Sequence, residues 1–568
     1  MCGIAGVFGA SAHPDTLQSM LTVAARRGPE GTNSCAHPDG LIGHAALRFV
    51  EIEHNAQPLR LEDGSLLVWN GQIYNWRALS AEHQLAATTD TQTLLLGLRR
   101  FGSDFLREID GQFAFIAYFA SGPFSGRTLL GRDKWGICPL VYGACGASGL
   151  AVGSTAEVVQ RAGVRDVRSV PAGTCGWLQP NAVELAAWYR LPEAQSGKSI
   201  AAAEVRALVE ARVHSRIPDQ PRELFTTLGG IDSQFVTTCV ARALRGAFGG
   251  AVTVVPHAAD SSSDLPFVHK TLAMLKAENI DVAHHIAVLT PEFARANLDR
   301  LLHLLGPDLF HILCGLAEDL VAQTVKRLGG RTIMTAGGPD EAGRSYDRWT
   351  FLHLGLDEER AWHRLCQQFG SSEGVRAGLV FGEHGIENRV PLADLIELAT
   401  SIPASQKQRV LDPGDGRSVA SLRMQSKLFW RAALSGKLPA ACLDARKEPI
   451  HGSTGAMSAL REVARADARF AQDRHNFALH AWQLGWNGIV FGKLWELDPD
   501  DALTECQLYA LYRWSLLQPE LFALGGEHRY GRYVEYLPRF VDEPTLRTFK
   551  PLCYDWQLGF DVPVRAIE

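Results

Sequence analysis

The sequence lacks an excess of basic charge and any long apolar run. Its 568 residues carry a formal net charge of -6, so it offers no basic field of the kind that nucleic-acid binding usually needs. No stretch approaches the roughly 20 apolar residues of a membrane span. The start, MCGIAGVFGASAHPD, has no basic leader before its short apolar run. We therefore expect a cytoplasmic protein with no secretory signal and no nucleic-acid or membrane partner.

Paired cysteine motifs are also missing. The 11 cysteines are scattered without CxxC pairs or neighbouring histidine clusters. This spacing argues against a disulfide framework and against a zinc site, and favours buried thiols in a reducing compartment. Cys2 is the exception, because its place in the chain allows a chemical role.

What the chain does contain indicates at least two domains. Up to about residue 190, short apolar strands alternate with Gly, Pro, Asn and Asp, which predicts an α+β layered domain. The polar stretch 191–199 marks a boundary. Beyond it, β-like runs alternate with helical runs, which predicts a parallel sheet wrapped by helices, and after about 350 the chain is mainly helical.

Cys2 becomes the first residue if the initiator Met1 is removed. Its thiol would then lie beside a free α-amino group with a pKa of about 8, which can take the thiol proton directly or through water. The alternative is a small residue on a buried first strand. The residues around it decide between the two.

Seven segments in order resemble the class II glutamine amidotransferase domain of asparagine synthetase. They are CGIAGVFG, RRGPEG, GHAALRFVE, NAQPL, WNGQIYN, TTDTQTLL and GRDKWGICPLVYG, all between residues 2 and 143. The resemblance implies an N-terminal nucleophile (Ntn) hydrolase domain of αββα layers over residues 2–190. It implies that Cys2 is the nucleophile that hydrolyses glutamine.

The same resemblance assigns the other residues of this first site. Arg48 would hold the α-carboxylate of glutamine with its guanidinium fork, and Asp90 would bind its α-ammonium. The side chain of Asn70 and the backbone N–H of Gly71 would form the oxyanion hole. Gln72 stands at a substrate-binding position where the family usually has an acidic residue, so it keeps hydrogen bonding and loses a charge.

A second motif, LGGIDSQ over residues 228–234, resembles the SGGxDS pyrophosphate loop of adenylating enzymes that include asparagine synthetase and β-lactam synthetase. Glycines expose backbone N–H groups as an anion nest, and the helix that follows points its positive end at phosphates. The predicted ATP-binding residues are Leu228, Gly229, Gly230, Asp232 and Ser233. The alternative is a strand-to-helix turn that needs glycine for geometry alone.

A third motif, TAGGPDEAGRSY over residues 335–346, corresponds to the family's SGEGSDExFGGY and follows another predicted strand. It adds Gly338 to the predicted ATP site and places the acidic pair Asp340-Glu341 in register. Two carboxylates at the carboxyl edge of a parallel sheet suit a magnesium-triphosphate complex. We expect Asp232 and Asp340 to bind Mg²⁺, with ATP as the second cofactor.

Two further segments extend the resemblance to about residue 520. IENRVPLADLIELATSIP matches the family's ExRVPFLD region, and ARKEPIHGSTG places Lys447 on a lysine that stabilises charge during attack on the acyl-adenylate. The implied second domain, 200–520, is an α/β PP-loop (adenine nucleotide alpha hydrolase-like) domain with a largely helical C-terminal part. Residues 521–568 form an extension of unknown role. Its aromatic residues favour core packing, while a subunit interface, and so a homodimer, stays open.

Three departures from the family pattern bear on the product. Leu228 replaces the first serine of the loop, Gly337 replaces a glutamate of the aspartate-adenylation site, and Pro339 replaces a serine. We predict an AMP-forming amide synthetase that uses glutamine, ATP and an amino-acid-like carboxylate, with ammonia as nucleophile. The alternatives are β-lactam synthetase-type closure by the substrate's own amine, and a catalytically degenerate binding or regulatory protein.

Overall fold

The computed structural model describes residues 1–47, 56–180, 182–193, 199–257, 263–345, 358–412, 423–445, 450–484, 486, 502–523 and 525. These residues form two compact units. The first unit contains Met1–Arg190 and also Gly370–Asn388, and the second contains Leu191–Phe369 and residues from Arg389 onward. None of the described helices has the length and apolar character needed to cross a membrane.

The first unit is built on two antiparallel sheets, each with six strands within the described residues. The first sheet has the order β10-β8-β9-β1-β3-β2 and the second has the order β12-β11-β7-β6-β5-β4. The strands are β1 Gly3–Gly9, β2 Thr32–His37, β3 Gly40–Ala45, β4 Leu59–Arg60, β5 Leu66–Ile73, β6 Gly111–Phe119, β7 Arg127–Arg132, β8 Val141–Cys145, β9 Gly149–Gly153, β10 Arg168–Ser169, β11 Thr174–Leu178 and β12 Val183–Ala187.

Four helices cover the outer faces of these sheets: α1 Pro14–Ala24, α2 Trp76–Glu82, α3 Asp90–Phe101 and α4 Ala156–Gln160, with a 3-10 helix at Gly102–Glu108. Helix α1 packs on β1 and β3, and α3 packs on β5. Between the sheets lies a core of Ile4, Phe8, Val68, Ile116 and Leu130. The layers therefore run helix, sheet, sheet, helix, which confirms the αββα fold expected of the first domain.

The start of α3 shows how the sequence fixes local structure. The Thr89 hydroxyl accepts a hydrogen bond from the Gln92 backbone N–H at 3.2 Å, and the Gln92 side-chain oxygen accepts one from the Thr88 backbone N–H at 2.8 Å. The Thr89 hydroxyl caps the helix and satisfies one backbone donor of the first turn, and the Gln92 side chain ties the first turn to the residue before the cap. It sets the position of Asp90 at the first turn of the helix.

The second unit contains a five-stranded sheet, counted over the described residues, with the order β15-β14-β13-β16-β17. The strands are β13 Leu224–Thr227, β14 Gly250–Pro256, β15 His284–Leu289, β16 Thr332–Met334 and β17 Glu387–Arg389. Strand β13 pairs in parallel with both β14 and β16. The strand order therefore reverses between β13 and β16, and the loops after these two strands meet at the carboxyl edge, where α/β proteins bind ligands.

The remaining helices follow along the chain, and all of them lie in the second unit except Glu373–Glu383, which belongs to the first unit. They are α5 Ala202–Ser215, α6 Ile231–Leu244, α7 Leu265–Ala277, α8 Pro291–Leu305, α9 Leu309–Arg327, α10 Pro339–Ala342, α11 Glu358–Gln368, α12 Glu373–Glu383, α13 Leu395–Ala399, α14 Ala404–Lys407, α15 Leu428–Leu434, α16 Ala440–Leu443, α17 Ile450–Ser453, α18 Ala456–Ala466, α19 Ala468–Gln483, α20 Ala502–Leu517 and α21 Pro519–Ala523. The hairpin β18 Gln408–Asp412 and β19 Arg423–Ser426 interrupts them. The mainly helical composition after residue 350 is confirmed for the described part of the chain.

Candidate functional site

Cys2 lies immediately before β1. Its thiol is held by the backbone of Leu47, whose N–H donates to Sγ at 3.3 Å and whose carbonyl lies 3.5 Å from Sγ. The Arg27 guanidinium donates to the Cys2 carbonyl at 3.3 Å. Leu47 follows β3 by two residues and directly precedes the predicted carboxylate-binding residue Arg48 in the sequence.

Met1 is buried and Cys2 is half-buried in the unprocessed chain. Burial raises the pKa of the Cys2 thiol, although the nearby N-terminal ammonium and the Leu47 hydrogen bond act in the opposite direction. Burial also lowers the pKa of the Met1 α-amine to about 5. An amine with a lowered pKa is neutral at pH 7, and only a neutral amine can accept a proton.

Asn70 and Gly71 lie on β5, which packs across from β1. The Asn70 side chain is 2% exposed, and its Nδ2 has no hydrogen-bond partner within the part of the chain that the structure describes. Gly71 has φ 154, and a Cβ placed there would lie 2.1 Å from the Gln112 carbonyl. The position therefore requires glycine, and a buried donor with no partner beside it is suited to an incoming oxyanion.

Gln72 and Asp90 meet in the structure. Gln72 Nε2 donates to Asp90 Oδ2 at 3.0 Å, and the Thr91 backbone N–H donates to Asp90 Oδ1 at 2.8 Å. Burial raises the pKa of Asp90 to about 6, despite hydrogen bonds from the Ile73 and Thr91 backbones that lower it. Strand β5 and helix α3 thus bring together two of the residues predicted to bind glutamine, whereas Arg48 lies outside the described residues.

The predicted phosphate loop connects β13 to α6. The Ser233 hydroxyl accepts from the Gly229 backbone N–H at 2.9 Å and donates to the Gly230 carbonyl at 3.0 Å. A Cβ on Gly230 would meet no atom within 4 Å, so open space lies in front of the helix N-terminus. Gly230 is the N-cap of the 14-residue helix α6, and the first N–H groups of a helix have no partner within it.

Leu228 departs from its predicted place among the phosphate contacts. Its side chain is 2% exposed and packs with Ala251 and Val268. Its backbone N–H donates to the Val252 carbonyl at 2.9 Å, which extends the pairing of β13 with β14. A buried side chain and an occupied N–H leave Leu228 no donor for a phosphate, so its role here is in packing.

Asp232 and Asp340 converge on one ammonium group. Lys427 Nζ lies 2.8 Å from Asp340 Oδ1 and also forms an ion pair with Asp232 Oδ2. Burial would lower the pKa of Lys427, but the two carboxylates outweigh it and raise the pKa. The Trp430 indole Nε1 donates to Asp232 Oδ1 at 2.8 Å. The first turns of the helices that follow two neighbouring strands therefore bring two carboxylates within reach of one cation.

Lys427 and Trp430 were missed by the sequence analysis. Lys427 has φ 60, a left-handed conformation that is uncommon for a residue other than glycine. Its contact with Asp232 joins residues 195 positions apart, so no local sequence pattern predicts this contact. Lys447, the lysine predicted from the motif, lies outside the described residues.

Gly338 shapes the second loop. It has φ 112 and precedes α10, which carries Asp340. A Cβ on Gly338 would lie 2.8 Å from the Leu392 carbonyl and 2.9 Å from the Ala393 Cα. Glycine at residue 338 thus has a steric cause, since a side chain there would meet the backbone of Leu392 and Ala393. The predicted contact of Gly338 with ATP stays a prediction.

Comparisons with known proteins find two matching families and several similar proteins. The glutamine amidotransferase domain family matches residues 1–173, and the asparagine synthase family matches residues 356–481. Asparagine synthetase B [glutamine-hydrolyzing] of Escherichia coli is 25% identical over 497 residues, which cover 82% of this chain and 85% of that protein. Asparagine synthetase [glutamine-hydrolyzing] of Asparagus officinalis is 24% identical over 445 residues, covering 73% and 72%.

The fold and the family matches together define the class of protein. The protein combines an Ntn-type glutamine amidotransferase fold with an asparagine synthase domain of mixed α/β and helical content. The two family matches and the similar proteins support the asparagine synthetase superfamily for this chain.

Proposed function

We propose that this protein is an ATP-dependent, AMP-forming amide synthetase that obtains ammonia from glutamine. The observation that carries the proposal is the convergence of Asp232 and Asp340 on the Lys427 ammonium. This charge arrangement lies at the carboxyl edge of a parallel sheet, beside a glycine loop and a helix N-terminus. The similar proteins, named as glutamine-hydrolysing asparagine synthetases, support the same assignment.

The first half of the reaction is glutamine hydrolysis. After removal of Met1, the α-amine of Cys2 takes the thiol proton, and the thiolate attacks the side-chain carbonyl carbon of glutamine. Asn70 Nδ2 and the Gly71 N–H stabilise the oxyanion, ammonia leaves with the transferred proton, and water then hydrolyses the thioester to glutamate. Asp90 binds the α-ammonium of glutamine, Gln72 orients Asp90, and Arg48 is proposed for the α-carboxylate.

The second half is phosphate chemistry. A substrate carboxylate oxygen attacks the α-phosphorus of ATP, and the bond from that phosphorus to the bridging oxygen breaks. Pyrophosphate leaves toward the loop of Gly229, Gly230 and Ser233 and the N-terminus of α6, where Lys427 neutralises charge. Ammonia then attacks the acyl carbon, AMP leaves and a proton is released. Lys447 stays a proposal for this last step.

Mg²⁺ fits the same place. Asp232 and Asp340 supply two hard oxygen ligands that already share a cation, and Mg²⁺ uses one or two carboxylates together with phosphate and water. Bound there, Mg²⁺ would neutralise phosphate charge. Gly338 contributes by allowing the close approach of α10, and Leu228 is left out of the proposed phosphate contacts.

The substrate's own amine is the second candidate for the nucleophile. Gly337 is buried and supplies no side chain to the loop after β16, so this position offers a small amino-acid substrate no charge to bind. A larger substrate that carries its own amine would not need that contact. We further propose a cytoplasmic protein that acts on small molecules alone, with a homodimer as its assembly.

An assay of pyrophosphate release distinguishes ammonia from the substrate's own amine as the nucleophile. The protein would be given ATP, Mg²⁺ and a panel of amino acids and β-amino acids, with and without glutamine, with Asp340→Asn as the inactive control. Release that depends on glutamine or ammonia supports the amidotransferase, and release without either supports closure by an internal amine. If no carboxylate gives release above the Asp340→Asn control, the protein is not a synthetase of this kind.

A further inference from the structure

Two buried tryptophans donate their indole N–H groups to the carboxylate region of the second unit. Trp430 is 0% exposed, and its Nε1 lies 2.8 Å from Asp232 Oδ1. Trp362 is 2% exposed, and its Nε1 donates to the Glu341 backbone carbonyl at 2.7 Å. Glu341 follows Asp340 on α10, so each carboxylate that meets Lys427 has an indole donor on it or beside it.

The Trp430 contact fixes the rotation of a carboxylate. Lys427 engages Oδ2 of Asp232, and Trp430 engages Oδ1. The ring of Trp430 packs edge-on against Phe235 with centroids 5.3 Å apart, and Phe235 lies on the same helix as Asp232. The indole therefore cannot turn away without disturbing α6, and Asp232 is held in one orientation.

The Trp362 contact restrains a short helix. Helix α10 has four residues, and its cap at Gly338 makes no side-chain hydrogen bond. Contacts from elsewhere must hold it: the Lys427 backbone N–H donates to the Gly343 carbonyl at 2.9 Å, and Trp362 donates to the Glu341 carbonyl. The Lys407 ammonium lies 3.4 Å from the centroid of the Trp362 ring, which steadies the ring by a cation–π interaction.

We propose that Trp430 and Trp362 are positioning residues for Asp232 and Asp340, and that they act through their indole N–H groups. The inference rests on the proposed function, because it takes the two carboxylates as the metal ligands for bound ATP. Hydrogen-bond partners of ligating carboxylates set ligand orientation, and their loss typically weakens metal binding by about 10- to 100-fold. The ring of each tryptophan contributes to packing, whereas its N–H group orients the carboxylates of the proposed metal site.

The test replaces each indole by a ring without the N–H. The variants are Trp430→Phe and Trp362→Phe, and the matched control is Trp486→Phe. Trp486 is 1% exposed, lies in the same unit and donates its Nε1 to the Phe522 carbonyl at 3.0 Å. The readout is binding of Mn²⁺ with α,β-methylene-ATP to the full chain, followed by the electron paramagnetic resonance signal of free Mn²⁺.

Trp430→Phe is expected to weaken Mn²⁺ binding about tenfold, and Trp362→Phe about fivefold, as for the loss of one hydrogen bond. Trp486→Phe is expected to stay within about twofold of the wild type, because distant sites act independently. Trp430→His, which keeps a ring N–H, is expected to bind more tightly than Trp430→Phe. It also serves if the phenylalanine variant fails to fold.

Equal Mn²⁺ affinities for Trp430→Phe, Trp362→Phe and Trp486→Phe would overturn the inference and leave the proposed function intact. Failure of the wild type to bind Mn²⁺ with the nucleotide would instead contradict the proposed function. The two failures are therefore distinguishable. In steady-state assays, the two positioning variants are expected to raise the Mg²⁺ concentration for half-maximal rate more than they lower kcat.

Discussion

The amide nitrogen of Gln72 donates to a carboxylate oxygen of Asp90 at 3.0 Å. A neutral donor here replaces the second negative charge that an acidic residue would bring. Even so, burial raises the pKa of Asp90 to about 6. The proposed glutamine site therefore includes a carboxylate, Asp90, whose charge depends on pH within the range of an ordinary assay.

Glutamine binding is expected to weaken below pH 6. Asp90 must be ionised to pair with the substrate's α-ammonium, and its raised pKa means that the charged form is lost as the pH falls through about 6. About one tenth of Asp90 remains ionised one unit below its pKa, so the KM for glutamine at pH 5 should be about tenfold higher than at pH 8. A glutaminase assay from pH 5 to 8 measures this, and a flat KM would contradict it.

Gln72→Glu is expected to shift that profile to higher pH. A second carboxylate beside Asp90 disfavours its ionised form and raises its pKa further. The rise in KM should then begin above pH 6, while the kcat at high pH stays close to that of the wild type. Gln92→Glu is the matched control, because Gln92 bonds to Thr88 at the helix cap. An identical pH profile for Gln72→Glu and the wild type would count against the assigned role of Asp90.

Asn70→Ala is expected to lower the glutaminase kcat by about 100- to 1,000-fold, the usual cost of removing one oxyanion donor. The KM for glutamine should change little, because the donor has its partner mainly in the transition state. Asn75→Ala is the control: its side chain donates to the Glu108 carbonyl at the surface. A large rise in KM without loss of kcat would show that Asn70 binds the ground state instead.

Lys427→Met is expected to make stability depend on Mg²⁺. Without the ammonium, the Asp232 and Asp340 carboxylates face each other with no shared cation, and breaking a buried pair of this kind costs about 3 kcal/mol of unfolding free energy. Added Mg²⁺ should restore part of it. Thermal unfolding with and without Mg²⁺ measures both effects. Lys437→Met, which breaks the more exposed pair with Glu210, should show neither.

Leu228→Ser is expected to destabilise the protein. Its side chain packs with Ala251 and Val268, and truncation of a buried leucine typically costs about 2–5 kcal/mol. Urea unfolding should show this loss, whereas Leu228→Met should cost less than about 1.5 kcal/mol. Pyrophosphate release by the serine variant should not exceed that of the wild type. An increase would mean that the hydroxyl lost from the loop matters more than the packing gained.

Much of the fold was predictable because it follows from local patterns. The alternation of β-like and helical runs after residue 200 predicts the parallel sheet, and the turns after β13 and β16 predict that their loops meet at one edge. Glycines at 71 and 338 are explained by steric needs that a motif already marks. The structural role of such residues can be predicted from the few residues on either side of them in the sequence.

Leu228 and Lys427 show where that reasoning ends. The loop motif places residue 228 beside a phosphate, yet its side chain turns into a core formed with β14 and α7. Lys427 reaches Asp232 across 195 positions of sequence. Contacts of this range depend on how the elements pack, and one sequence read alone contains no signal for them.

By itself, the sequence determined the chemistry that each loop can offer: a thiol at residue 2, a glycine nest before α6, and carboxylates at the ends of two strands. Only the tertiary structure decided which charges meet, because the free energy of an ion pair or a buried donor depends on distance and burial rather than on order along the chain. It placed Lys427 between Asp232 and Asp340 and raised the pKa of Asp90 by burial. It also brought the Trp430 indole to the Asp232 carboxylate and the Trp362 indole to the Glu341 backbone carbonyl.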